Sequence, residues 1–199
     1  MKVSIITPTW QRHHLLLGRA IPSVQRQSYT DIEHIVVSDG PDPTLRGLLA
    51  EEPVTYIECP EHDDHRMNFG STARNWGLDY ATGDLIAYLD DDNSWRPDHL
   101  SLLVKALEIN PEASFAYGLM ITHPHEVVIG TNPPQYAGID TSMIVQRRQL
   151  MNVSRWPHPS VIQGDQHAPD WAIVEAWLSG GAQWIHVPQV TVDYYFPGG

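Results

Sequence analysis

The sequence predicts an α/β fold, a mostly parallel central sheet with helices on both faces. Three observations predict it. Short, near-continuously apolar runs recur through roughly the first 120 residues, as strands buried on both faces require. Stretches with helical spacing separate them, giving the alternation of parallel strands and crossover helices. Three runs end in polar residues, Thr7-Pro8-Thr9, Ser38-Asp39-Gly40 and Asp90-Asp91-Asp92. Ligands of such sheets bind outside the carboxyl ends of the strands.

Val3–Thr7 is a β-branched run stopped by Pro8 and reads as the first strand. Leu16, Ala20, Ile21 and Val24 then share one helical face, with Pro22 expected to kink or divide that helix. Glu33–Val37 is the second strand, closed by the turn signal SDGPDP. Thr44–Ala50 reads as a short helix and Val54–Glu58 as the third strand. Ser71–Tyr80 is helical and stops near Gly83, Leu85–Leu89 is the fourth strand, and Pro97 suits the first turn of a helix reaching Ile109. Ser114–Ile121 is the fifth strand. The remainder is less regular. Strands are expected at Val127–Ile129, Ser142–Val145, Trp184–Val187 and Val190–Tyr194, a short helix near Gln146–Met151, and a helix over Pro169–Ser179. No linker, repeat or low-complexity stretch divides the chain, so one domain over residues 1–199 is expected.

The formal charge is −12, from 24 acidic and 12 basic residues among 199. Such a chain is not built to hold nucleic acid by bulk electrostatics. An anionic ligand needs a local device, a metal ion or an isolated arginine. One cysteine, Cys59, excludes an internal disulfide and suggests a reducing compartment. No apolar run approaches the roughly 20 residues of a membrane span, and the N-terminal apolar run is too short for a secretion signal. The expectation is a soluble, cytoplasmic protein.

Asp90 and Asp92 alternate along the backbone and can face one point. Two hard carboxylates there suit Mg²⁺ or Mn²⁺ with positions left for phosphate. The plain reading is a solvated loop capping the next helix. Asp39 is either a turn residue or an acceptor for a nucleobase. Arg74 and Asn75 follow Phe69-Gly70 at a helix start, where an arginine reaches a diphosphate or serves as a surface cation. Asp170 is either a first-turn acid or a general base for an acceptor hydroxyl, with Asp165 a weaker competitor. His62-Asp63-Asp64-His65 lacks zinc-ligand spacing. His158 or His167 could complete a metal site beside Asp92. Trp95, Trp156 and Trp171 flank the candidate site and could stack on a sugar as well as pack.

These segments resemble the family 2 glycosyltransferases of the GT-A fold. SIITPTWQRHHLLLGRAIPSVQRQSYTDIEHIVVSDGP is similar to that family's opening strand, helix and second strand. GSTARNWGLDYATGDLIAYLDDDNSWRPDHL is similar to its later helix, fourth strand and Asp-x-Asp motif, and PDWAIVEAWLSGG, more distantly, to its late acidic motif. The resemblance implies a nucleotide-sugar-binding half over 1–120, an acceptor-side half over 121–199, and transfer with inversion. It implies that Thr7, Pro8, Thr9 and Asp39 hold the nucleoside, and that Asp90 and Asp92 bracket ribose and a diphosphate bound to Mn²⁺ or Mg²⁺. Arg66 or Arg74 touches phosphate, with Asn75 and Asp91 beside them, and Asp170 is the base. The acceptor is a glycan or another molecule bearing a hydroxyl.

The sequence departs from the family in three places. Ser38-Asp39 stands where Asp-Asp is common, Pro169-Asp170 where Glu-Asp is common, and the tail lacks the usual arginine and histidine. The short acceptor side suggests completion by a partner subunit, as in a homo-oligomer, or by a large acceptor. UDP is the expected nucleotide because a carboxylate at Asp39 accepts from a uracil N–H. dTDP offers the same edge, and GDP stays open. Two other readings compete. A nucleotidyltransferase would carry a glycine- and lysine-rich loop where TPTWQRHH stands, and a non-catalytic sugar-nucleotide or glycan-binding module would bind without turnover.

Overall fold

Strand β1 (Val3–Thr9) is buried along its whole length, so both its faces are covered. It lies between β2 (Ile32–Ser38) and β4 (Leu85–Tyr88), parallel to both, and β3 (Thr55–Glu58) extends the sheet beyond β2. Beyond β4 come β8 (Ile144–Arg147), β6 (Phe115–His123), β9 (Trp184–Tyr195) and the short β5 (Ser94–Trp95), with β7 (Val128–Ile129) branching from β6. In this computed structural model, the residues described are 1–65, 68–158 and 169–196. Among them β1, β2, β3, β4, β6 and β9 run one way, and β5, β7 and β8 run against them.

Register decides where the site lies. Thr9 pairs with Ser38, and the ladder continues as the Asp39 N–H donates to the Thr9 carbonyl at 2.9 Å. On the other side Ile6 pairs with Tyr88, and the Leu89 N–H donates to the Ile6 carbonyl. The carboxyl ends of β2, β1 and β4 therefore finish on one rim, in that order.

Helix α4 (Ser71–Tyr80) packs on β1 and β2. Gly77 makes that approach close: a Cβ there would sit 2.5 Å from Ile6 Cγ2 and 3.2 Å from Val37 Cγ2. Helix α5 (His99–Ile109) covers β6 and β9, and α3 (Pro43–Leu48) is capped by Asp42, whose carboxylate accepts from the Leu45 N–H at 2.9 Å.

Pro22 does divide its helix. Helix α1 (His13–Leu15) passes into a π-helical turn, Leu16–Ala20, and then α2 (Ile21–Gln25), where Pro22 occupies the first turn and no donor is missed. Leu16, Ala20, Ile21 and Val24 are all buried, as their spacing predicts. Several elements differ from expectation. The sequence predicts no strand at Ser94–Trp95, which pairs with β9 as β5, and Ser142–Met143, expected to open a strand, lie in a 3-10 turn before β8. The short helix expected from Gln146 is a 3-10 turn starting at Arg148, because Gln146 and Arg147 pair with β4 as part of β8. The two expected last strands are one strand, β9. Its register against β6 shifts around Gly118, and exposed Pro188-Gln189 sits in that irregularity, where a missing N–H costs no ladder bond.

Candidate active site

The chain leaves β4 as Asp90-Asp91-Asp92, and three different environments receive the three carboxylates. Asp91 is buried, accepts from Thr9 Oγ1 at 2.7 Å and pairs with Arg12 Nη1 at 3.0 Å. Burial pushes its carboxyl up to about 7, against the pull of Arg12 and Thr9. Asp92 pairs with the other guanidinium nitrogen of Arg12, and its backbone carbonyl accepts from Arg19. Asp90 pairs with Arg74, which is buried, donates to the Phe69 carbonyl at 2.5 Å and stacks over Trp156 at 4.7 Å.

At the β2 end of the rim, Asp39 Oδ2 meets His62 Nδ1 at 3.0 Å, while Oδ1 is buried with no partner. Burial raises this carboxyl and His62 opposes the rise. Trp10 stacks on His62 at 4.3 Å, nearly parallel. Both residues close on Gly40, where φ is +123° and an added Cβ would lie 2.9 Å from the Trp10 ring and 3.0 Å from the His62 backbone nitrogen.

At the β8 end stand Asp140 and Asp170. Asp140 caps the 3-10 turn Thr141–Met143 by accepting from the Ser142 N–H at 2.8 Å. The buried Thr141 hydroxyl donates to Asp170 Oδ1 at 2.5 Å, at the start of α6 (Pro169–Ser179). Both carboxyls are held above the usual range. Burial does most of this; Asp90 adds to it for both, and Asp170 does so for Asp140, while Arg74 pulls the other way.

A cavity of about 490 Å³ joins these groups and is lined by Pro8, Thr9, Trp10, Arg12, Asp39, Phe69, Gly70, Arg74, Asp90, Asp91, Asp92, Asp140, Pro169, Asp170 and Tyr194. Six of the lining residues are aspartates and two are arginines. The oxygen-rich set fits a hard divalent cation, and Asp90 and Asp92 keep 27% and 16% of their side chains exposed at the cavity. Among the described residues, no three His, Cys, Asp or Glu gather into a metal cage by themselves. A cation here would take its remaining ligands from water or a ligand's phosphates.

The structure brings Pro8, Thr9, Asp39, Arg74, Asp90, Asp91, Asp92 and Asp170 to one cavity. Two sequence candidates are engaged elsewhere. The Thr7 hydroxyl is buried against His34 Nε2 at 2.9 Å. The Asn75 amide donates to the Trp156 carbonyl and accepts from the Trp156 N–H, which clamps the chain beneath Arg74. Arg66, Asp165 and His167 lie outside the described residues. His158 meets Asp63 at 3.0 Å. Trp95 packs in the core, stacked on His99 and donating to the Ser142 carbonyl. Sequence reasoning missed Arg12, Trp10, Asp140 and Tyr194. Arg12 and Trp10 had a signal, since any residue in the turn after β1 reaches the rim. Asp140 looked like a loop residue, and Tyr194 like one more position of an apolar strand.

The model for "Glycosyl transferase family 2" matches residues 4–163. A curated Escherichia coli relative, UDP-Glc:alpha-D-GlcNAc-diphosphoundecaprenol beta-1,3-glucosyltransferase WfgD, is 32% identical over 165 residues, 78% of this chain and 64% of its own. The Rhizobium meliloti succinoglycan biosynthesis protein ExoW is 36% identical over 107 residues, 50% of this chain and 32% of its own. Among solved structures, the Pyrobaculum calidifontis mannosyltransferase PcManGT, in complex with GDP-Man and Mn²⁺, superposes with a TM-score of 0.76 at 21% identity, covering 99% of this chain and 57% of that one. S. aureus TarS 1-349 with UDP-GlcNAc gives 0.75 at 16% identity, covering 100% and 60%. The chain spans less than two thirds of the length of each of these relatives. These structural likenesses establish the GT-A fold. With a family model matched over most of its length, the chain belongs to glycosyl transferase family 2.

Proposed function

We propose that the protein transfers a sugar from a nucleoside diphosphate donor, a UDP-sugar, to an acceptor hydroxyl with inversion at the anomeric carbon. The observation that carries this reading is the order of chemistries along the rim. The unpartnered Asp39 Oδ1 stands after β2, the three aspartates after β4, and Asp140 with Asp170 beside β8. A buried acceptor without a donor is costly unless a ligand supplies one, and a uracil N–H does. Asp90 and Asp92 are the residues that would hold Mn²⁺ or Mg²⁺. When bound, that cation supplies Lewis-acid stabilisation of the departing diphosphate.

The chain's own residues do the rest. Arg12 and Arg74 fix Asp92 and Asp90 in place. Asp170 takes the acceptor's proton as its oxygen bonds to the anomeric carbon and the bond to the diphosphate breaks. Burial and the nearby Asp90 make Asp170 a stronger base than an ordinary carboxylate. The Thr141 hydroxyl occupies Oδ1 and leaves Oδ2 for the proton.

The test is a melting panel of UDP-, dTDP- and GDP-sugars with and without Mn²⁺, followed by turnover. The matching donor raises the melting temperature, by about 2.7 kcal/mol of stabilisation at a hundredfold excess over Kd. Asp170→Asn keeps donor binding and lowers transfer about 10²- to 10⁴-fold. If no donor stabilises the protein, the reading is wrong.

A further inference from the structure

A second cavity of about 250 Å³ opens beside the first. The two share Asp140, Asp170 and Tyr194 and are otherwise lined differently. In the second, aromatic and aliphatic groups dominate. Tyr136 and Phe196 are 50% and 42% exposed, Trp171 is partly buried, and Ile139 lies buried at its side.

We propose that this cavity is the acceptor site and takes a pyranose ring, stacked by its C–H face on Tyr136 and Trp171 with a ring hydroxyl at Asp170. The proposal rests on the transferase reading above and specifies its acceptor. Three observations support it. The mixture of ring faces and carboxylates matches a sugar, which has an apolar face and an edge of hydroxyls. An acyl chain in the same place would leave Asp140 and Asp170 desolvated without donors, a cost it cannot offset. The volume suits about one hexose ring, whereas a drug-sized pocket starts at about 300 Å³.

The shelf is also preformed. The loop carrying Tyr136 is closed by the Thr131 N–H donating to the Gly138 carbonyl at 3.1 Å and the Gly138 N–H to the Gln135 carbonyl at 2.9 Å. The Tyr117 hydroxyl donates to the Thr131 carbonyl at 2.6 Å and ties the loop to β6. Tyr194 stands between the two cavities. Burial and the surrounding Asp140, Asp92, Asp90 and Asp170 push its phenol up to about 12, so it stays a neutral donor between donor and acceptor sugars. Phe196 meets Tyr194 edge-on at 5.3 Å and braces it.

The experiment is saturation-transfer NMR on the full chain with methyl and octyl glycosides of glucose, N-acetylglucosamine, galactose and mannose, in both anomers, with glycerol as control. The expected result is transfer to ring C–H protons of at least one pyranoside and none to glycerol. Tyr136→Ala weakens that binding about tenfold, the loss of one stacked ring, and Tyr136→Phe preserves it. Trp171→Ala, checked for an unchanged circular dichroism spectrum, weakens it likewise. Absence of signal from every pyranoside, or signal confined to octyl protons, overturns the proposal, as does binding that Tyr136→Ala and Trp171→Ala leave intact. The donor melting panel separates the two readings. Donor stabilisation without pyranoside contact removes the ring site alone. Pyranoside contact without donor stabilisation removes the transferase reading and with it the acceptor role, and leaves a sugar-binding cavity.

Discussion

Asp91 is 3% exposed, while Asp90 and Asp92 keep part of their side chains at the surface. Strand alternation made the outer two legible from sequence. It could not show that Arg12, 79 residues before Asp91, bridges the inner aspartate and Asp92. A contact made by tertiary approach leaves no local spacing to read. The same limit applies to Thr141, whose only sequence signal is a turn, and whose hydroxyl nonetheless fixes Asp170. That bond lowers the Asp170 carboxyl against the burial that raises it. Thr141→Val removes the bond, so Asp170 rises further and holds its proton to higher pH. In the proposed mechanism Asp170 works deprotonated, so the acid limb of kcat/KM moves to higher pH. Below the limb, activity falls about tenfold or more, since a hydrogen bond to a charged group is worth ~1.5–3 kcal/mol. Thr141→Ser restores the original profile. A pH–rate series on the three proteins measures it, and an unmoved limb in Thr141→Val assigns the proton to another group.

At the scale of elements, the first half was legible because periodicity and punctuation agree: β1 to β4, α3 and α4 fall within a residue or two of their expected spans. The second half was less so. The β6–β9 ladder is bulged, so the chain around Pro188 reads as a break, yet β9 continues through it. Pairing in β8 is decided by β4 and β6 on either side, which no local pattern reports. Gly77 shows how tightly the legible part is set. In an isolated helix, Gly→Ala gains about 1 kcal/mol. Here the new methyl meets Ile6 Cγ2 at 2.5 Å, and overpacking costs ~1–3 kcal/mol. The clash wins, so Gly77→Ala lowers the urea midpoint with little change in m. It also pushes α4, and with it Arg74, away from the rim, so affinity for the proposed donor falls along with stability. A Gly77→Ala protein more stable than the parent would show that β1 yields easily.

For the whole molecule, acid tolerance is set by groups buried in different protonation states. His34 and His99 are buried and held neutral, each pulled down to about 3 by burial. A histidine with a depressed folded value costs stability as pH falls below its unfolded value near 6.5, because the unfolded chain takes up the proton first. Between pH 6.5 and 5 each costs about 2 kcal/mol, at 1.36 kcal/mol per unit. Asp91 works in the opposite direction. Its folded value of about 7 is raised, so its contribution is largest in acid and fades as pH rises through 7. Asp39, Asp140 and Asp170, also raised by burial, act with Asp91. The slope of the melting temperature between pH 7 and pH 5, in 0.15 M salt where surface charges are screened beyond about 8 Å, is therefore the balance of the buried histidines against the buried carboxyls. Two variants separate the contributions. His99→Phe keeps a ring against Trp95, now stacked at 4.3 Å, and removes the titrating group, so its melting temperature at pH 5, relative to pH 7, is higher than the parent's. Asp91→Asn removes the buried charge, so it raises the melting temperature at pH 8 more than at pH 5. Calorimetry of the three proteins across that range separates the two contributions, and an identical pH dependence in all three would show that neither His99 nor Asp91 titrates differently in the folded chain.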